Sequence, residues 1–243
     1  MTDTHPIFNI LLTGGILPSK IAGKLATNIQ SFKDCYPTSK YTLFRNKELR
    51  RFIETHFESD VLKAYDSLVP FAYKADLGRY CLLYVLGGVC ADLSHLHINA
   101  IPSDQGSDLV AFRAVAFIHP PHTVSNGLIY ARPGLTIFRQ AIDRIVQHCR
   151  DNFYGNSPLD PTGPDLFGRC IARTANPNNI IFGDSSDLLA GSGPPKSKKH
   201  IFKFLPDGEL VAYRNKRTNS SIEELVKGGN AYGQLWRDRG IYQ

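Results

Sequence analysis

Asp76, Arg79 and Asp92 are three charged side chains spaced around the most apolar stretch of the chain, Tyr80 to Ala91. Asp76 and Arg79 stand three apart in a predicted helix from Phe71 to Leu86, so they share one face. On a solvated face such a pair is an ordinary ion pair of little consequence. Here the surrounding helix is apolar and leads directly to Asp92. A carboxylate and a guanidinium side by side at a site edge suit the recognition of sugar hydroxyls. Asp92 follows a short apolar strand, Val89-Cys90-Ala91, itself preceded by Gly87-Gly88. An acid at the carboxyl end of a strand can hold a hard divalent cation, which would neutralise a diphosphate leaving group. His95 and His97, two apart, share a face if the segment is extended, which is a spacing open to a metal. Gly14-Gly15 ends the apolar run Ile7 to Leu12. It has neither the spacing of a dinucleotide fingerprint nor that of a Walker loop. An ordinary turn and a close backbone approach to a nucleotide both stay open there.

The elements that must position these residues alternate between strands and helices. Ile7–Leu12 reads as a buried first strand. A helix is expected from Pro18 and Ser19, with Ser19 as its cap, to about Asp34. Tyr41–Phe44 reads as a strand, and Leu49–Phe57 and Val61–Leu68 as short amphipathic helices. Gly87-Gly88 ends the Phe71–Leu86 helix, because glycine accepts the left-handed C-terminal conformation. Leu109–Phe112 and Gly127–Ala131 read as strands, and Leu135–Arg150 and Asp165–Arg173 as helices. Ile180–Phe182, His200–Phe204 and Leu210–Tyr213 are late strands. Gly191–Lys199 reads as a flexible loop. The alternation predicts one α/β domain over residues 1–243, three-layered on a mainly parallel sheet. Such sheets bind ligands at the carboxyl ends of their strands.

Composition narrows the classes. At 243 residues, with 42% hydrophobic and 21% charged residues, the chain can bury a core without disulfides or structural metals. Its five cysteines include no Cys-x-x-Cys pair, which suits a reducing compartment. No signal pattern and no membrane-length apolar run is visible, so a soluble, cytoplasmic chain is expected. Lys and Arg exceed Asp and Glu by 28 to 22. That excess favours phosphate-bearing ligands or an anionic membrane surface. The basic residues are scattered except at Lys196–His200, which reads as a solvated loop, so no nucleic-acid partner is expected.

The segment Ala72 to Ser94 resembles the signature of glycosyltransferases with an Asp-x-Asp sugar-binding region. Its order is an Asp-x-x-Arg helix, a Gly-Gly turn, a short strand and an Asp-x-Asp, here Asp92-Leu93-Ser94. That family includes capsule, lipopolysaccharide and α-mannosyl transferases. Weaker similarity extends to Leu17-Pro18, to Ser31–Pro37, to Ser125–Gly134, to Thr162–Pro164 and to Gly228–Trp236. The resemblance implies a Rossmann-like GT-A fold, a UDP- or GDP-hexose donor and transfer with retention to a glycan, lipid-linked glycan or protein. It implies a manganese or magnesium ion, and in some settings peripheral contact with the inner membrane face. Carried across, Asp76 and Arg79 would bind the donor hexose. Asp92 would lie near ribose and metal. Gly14, Gly15, Asn230, Tyr232 and Trp236 would border the donor, with Asn230 and Trp236 by its diphosphate and sugar.

Two positions depart from the pattern. Ser94 replaces the second Asp, which in the family ligates the metal directly; a serine hydroxyl is a neutral, poorer ligand. Cys90 replaces a Tyr that would pack on the donor. The first departure also raises a rival reading, a non-catalytic binder of sugar nucleotides or glycans.

Overall fold

A computed structural model describes residues 5–15, 21–102, 106–116, 119–174, 179–187, 201–214 and 231–243. The Leu17–Ser19 helix start, the Gly191–Lys199 loop, the Lys196–His200 cluster and Asn230 lie outside the described residues.

Strand β1 (Ile7–Leu11) sits between β2 (Tyr41–Arg45) and β3 (Gly88–Ala91), parallel to both. Next come β6 (Val124–Ala131), β5 (Leu109–Arg113) and β7 (Ile180–Asp187). Strands β8 (Ile201–Phe204), β9 (Leu210–Arg214) and β4 (His95–His97) complete the sheet. The expected α/β class holds. Its sheet is mixed: three of the described pairings are parallel and five antiparallel. The antiparallel share comes from β6, which runs between β3 and β5 against both, and from the β7–β8–β9–β4 ribbon.

Alternation along the strands feeds two cores, one on each face. Phe8, Cys90, Leu109, Ala111, Ile129 and Ala131 join the larger one. It includes buried residues of α2 (Asn46–His56), α3 (Ser59–Ser67), α4 (Phe71–Leu86), α5 (Thr136–Arg150) and α6 (Pro164–Ala172). Ile7, Val89, Ala91, Val110, Leu128 and Tyr130 join the other, with Phe32 of α1 (Gly23–Cys35) and Val211 and Ala212 of β9. Helix α1 opens at Gly23 with Ala22 as N-cap and no side-chain cap, so Ser19 does not cap it. The short strand β4 was not expected as an element; three residues are too few for a periodic signal.

Helix α4 is apolar nearly all round and correspondingly buried, at Tyr73 and from Leu77 to Leu83. Its end departs from the expected left-handed cap. Gly87 has φ 62° and ψ −156°, a region open essentially to glycine alone. Gly88 follows at φ 87°, and a Cβ there would lie 2.0 Å from the Pro6 carbonyl oxygen, which accepts the Val89 N–H. Gly88→Ala therefore combines backbone strain with a clash that no side chain can relieve. A loss of about 3 kcal/mol is expected, readable as a lowered denaturation midpoint with an unchanged m-value.

Candidate functional site

The turn between α4 and β3 brings Asp92 back alongside the helix. Arg79, 4% exposed, donates through Nη2 to Asp92 Oδ1 and through Nη1 to the Asn126 carbonyl. Its ion-pair partner is thus Asp92, thirteen residues on, and not the helical neighbour Asp76. Burial works against the guanidinium's charge, but Asp92, Cys90 and Asp76 outweigh it and the net shift of its pKa is upward.

Asp76 faces the same space with two other partners. Asn126 Nδ2 donates to its Oδ1 at 2.8 Å and Thr162 Oγ1 to its Oδ2 at 2.9 Å. Asn126 Nδ2 also reaches the Tyr80 hydroxyl, which donates to the Thr162 carbonyl at 3.1 Å. Asn126 therefore ties Asp76 and Arg79 of α4 to β6. Thr162 belongs to a firmly held turn. Asp160 accepts the N–H groups of Asn156 and Ser157 and an Arg169 N–H. Asp165 accepts the Thr123 and Ser157 hydroxyls, and the Tyr73 hydroxyl donates to the Pro158 carbonyl.

Beside Asp92, β6 passes under the carboxylate. The Asp92 N–H donates to the Gly127 carbonyl at 2.7 Å. A Cβ on Gly127 would lie 2.7 Å from Asp92 Oδ2 and 3.1 Å from a His95 ring carbon. Only glycine leaves the second carboxylate oxygen where it stands.

Burial raises the Asp76 carboxyl to about 7, against the pull of Arg79 and of its Thr162 and Asn126 hydrogen bonds. The unfolded chain would hold that group near ~3.9. Between those values the folded state binds more protons, so this contribution to stability is full below about 4 and is lost as pH rises through 7. Asp76→Asn mimics the protonated form. It should melt with the wild type at pH 3.5 and above it at pH 8.5; coincident melting at both pH values would rule out a raised Asp76 pKa.

The remaining expected residues are distributed unevenly. Ser94 lies in the turn after Asp92. Gly14 and Gly15 are exposed beyond β1. Thr13 there exchanges two hydrogen bonds with the Asn46 side chain, and Gly14 lies near the Phe71 ring. No described hydrogen bond joins either glycine to Asp76, Arg79 or Asp92. Tyr232 opens the short helix α7 (Tyr232–Arg237), with its ring 6.0 Å from Tyr73 on α4. Burial raises its pKa, as do the charges of Asp76 and Asp92 against the pull of Arg214. Trp236 donates its indole N–H to the Tyr154 carbonyl at 2.7 Å, which commits that group to structure.

His95 and His97 are buried in β4. His97 stacks on Phe32, and burial lowers its pKa to about 3. Among the described residues no three His, Cys, Asp or Glu side chains are placed to hold a metal.

Two basic residues in the late strands had no part in the sequence reading. Lys203 of β8 is 2% exposed and donates to the Ser125 and Ser185 hydroxyls at 3.0 Å each. Arg214 ends β9, paired in register with His95. Burial lowers Lys203 to about 7 and also lowers Arg214, while Asp92 pulls both upward. The signal for Lys203 was a lysine inside the apolar run Ile-Phe-Lys-Phe-Leu.

Residues 23–105 match the family model described as "Glycosyltransferase sugar-binding region containing DXD motif". A protein of Acanthamoeba polyphaga mimivirus named as an uncharacterized glycosyltransferase is 26% identical over 144 residues, covering 58% of this chain and 56% of that protein. The chain thus spans little more than half the length of this curated relative. The solved structure of the PaToxG glycosyltransferase aligns with a TM-score of 0.55 at 14% identity, over 70% of this chain and 69% of that one. That likeness shows the fold. The family model and the mimivirus relative support the glycosyltransferase resemblance seen in residues 72–94.

Proposed function

We propose that the chain transfers a hexose from a UDP- or GDP-sugar to a glycan, lipid-linked glycan or protein, with retained configuration. The observation that supports this reading most is the linkage of Asp76, Arg79, Asp92 and Asn126 around one site edge. Asp76 would accept hydrogen bonds from hexose hydroxyls, with Arg79 holding the neighbouring charge in place. Asp92 Oδ2, the oxygen not given to Arg79, would accept from a ribose hydroxyl. Tyr232 would close over the donor, with Asn230 beside its diphosphate.

In the transfer step the bond from the anomeric carbon to the phosphate oxygen breaks. A bond to the acceptor oxygen forms on the same face. The acceptor proton passes to the departing phosphate, so no separate base is required.

The manganese or magnesium ion implied by the resemblance meets a poor donor set. Asp92 has one oxygen engaged by Arg79, Ser94 offers only a neutral hydroxyl, and Arg79, Lys203 and Arg214 supply positive charge around Asp92. A hard divalent ion prefers several anionic oxygens.

No described helix is long and apolar enough to cross a membrane. Peripheral contact with a membrane-borne acceptor, on the cytoplasmic side, is part of the proposal.

A thermal-shift screen of UDP-glucose, UDP-galactose, UDP-GlcNAc and GDP-mannose tests the reading, followed by an assay for released nucleoside diphosphate. One donor should raise the melting point and turn over. No stabilisation and no release with any of them would reject the proposal. Binding without turnover would favour the non-catalytic alternative that Ser94 motivates.

A further inference from the structure

Lys203 and Arg214 stand out as cations without an anion of their own. Among the described residues neither forms an ion pair, although Lys203 is 2% exposed and Arg214 is partly buried. Lys203 is held by two neutral hydroxyls and lies over the Phe112 ring at 5.1 Å. A buried cation with no counter-ion is costly, and such groups gather at functional sites.

Their placement is specific. Ser125, which anchors Lys203, precedes Asn126 and Gly127, the two residues that seat Arg79 and Asp92. Arg214 is opposite His95, whose N–H donates to the Asp92 carbonyl at 3.1 Å. Both cations therefore converge on the Asp92 turn from β8 and β9. Around that turn Arg79, Lys203 and Arg214 face the carboxylates Asp76 and Asp92, an excess of positive groups. A divalent cation would add to the excess, whereas a diphosphate would balance it.

We infer that Lys203 and Arg214 neutralise the donor's diphosphate in this chain, in the place where an Asp-x-Asp site would use a divalent metal. The inference rests on the nucleotide-sugar reading and deepens it. Arg214 takes the contact role, since its guanidinium can bond phosphate oxygens. Lys203 is a positioning residue: it holds Ser125 and, when protonated, supplies positive charge behind the site. The substitution of Ser94 for an acid then has a reason, because the acid's usual ion is not needed.

The test titrates the full chain with UDP and with GDP, in EDTA and in manganese. At least one nucleotide should bind in EDTA, with little change on adding manganese. Arg214→Gln should weaken that binding about tenfold or more, and Arg214→Lys, which keeps the charge but not the planar fork, should weaken it less. Lys203→Met should also weaken it, yet melt at or above the wild type without nucleotide, since it removes a buried charge of similar length. A merely structural lysine would lose both together. If Lys203→Met fails to fold, the Arg214 pair still decides. Binding only when manganese is present, or Arg214→Gln equal to wild type in EDTA, overturns the inference and leaves the nucleotide-sugar reading standing. No binding of either nucleotide with or without manganese overturns both.

Discussion

Asp92→Ala should destabilise the chain more than Arg79→Met does, although both substitutions break the same ion pair. The asymmetry follows from exposure. The Arg79 side chain is 5% exposed and that of Asp92 is 42% exposed. Removing Asp92 strands a guanidinium in the interior, its Nε already without a partner and its Nη1 on the Asn126 carbonyl. A buried charge deprived of its partner costs about 3–5 kcal/mol. Removing Arg79 instead leaves a carboxylate that water can reach, plus one unpaired carbonyl, at a cost of about 1–3 kcal/mol. The double variant should be more stable than Asp92→Ala alone, since the stranded charge is gone. Urea denaturation of all three measures the coupling directly. Equal losses for the two single variants would show that water reaches Arg79 as readily as Asp92.

How much of this was legible in the sequence depended on whether the deciding contact was local. Helix α4 was legible from end to end, because apolar residues dominate Phe71–Leu86 and two glycines stop it. Asp76, Arg79 and Asp92 were legible as a group through their order along that segment. The partner of Arg79 was not. A three-residue helical spacing makes Asp76 the obvious neighbour, whereas the observed partner depends on how tightly Gly87 and Gly88 fold β3 back beside the helix. Thr162 and Asn126 sat in segments similar to the family, but nothing local showed that both would hydrogen-bond Asp76. Strand direction was also hidden. Leu109–Arg113 and Ile180–Asp187 look alike as β runs, and only their shared neighbourhood with β6 and β8 decides which pairings are antiparallel. Lys203 shows the limit most clearly. In an alternating strand a lysine is expected to face water, and its burial arises from residues on three strands that close around it.

Asp92→Asn should retain the fold far better than Asp92→Ala and still lose about 10²-fold in kcat/KM for the donor. Asparagine keeps an oxygen for the Arg79 Nη2 hydrogen bond, so the guanidinium is not left without a partner. It gives up the negative charge, and its second arm becomes an N–H donor where Asp92 has Oδ2. That arm lies above Gly127, where glycine leaves room for it to stay in place. A site built to accept a hydrogen bond from a ribose hydroxyl then presents a donor to it. The hydroxyl can turn to accept from that N–H, so what is lost is the charge-assisted bond to a carboxylate, the stronger kind. The loss should appear mainly in donor affinity, with the acceptor KM unchanged, since Asp92 is assigned to the nucleotide end. The measurement is steady-state kinetics with donor varied at fixed acceptor, alongside urea denaturation of the same preparation. An Asn variant that folds and turns over at the wild-type rate would remove Asp92 from the donor site. The Arg79–Asp92 pair would then be left with a purely structural role.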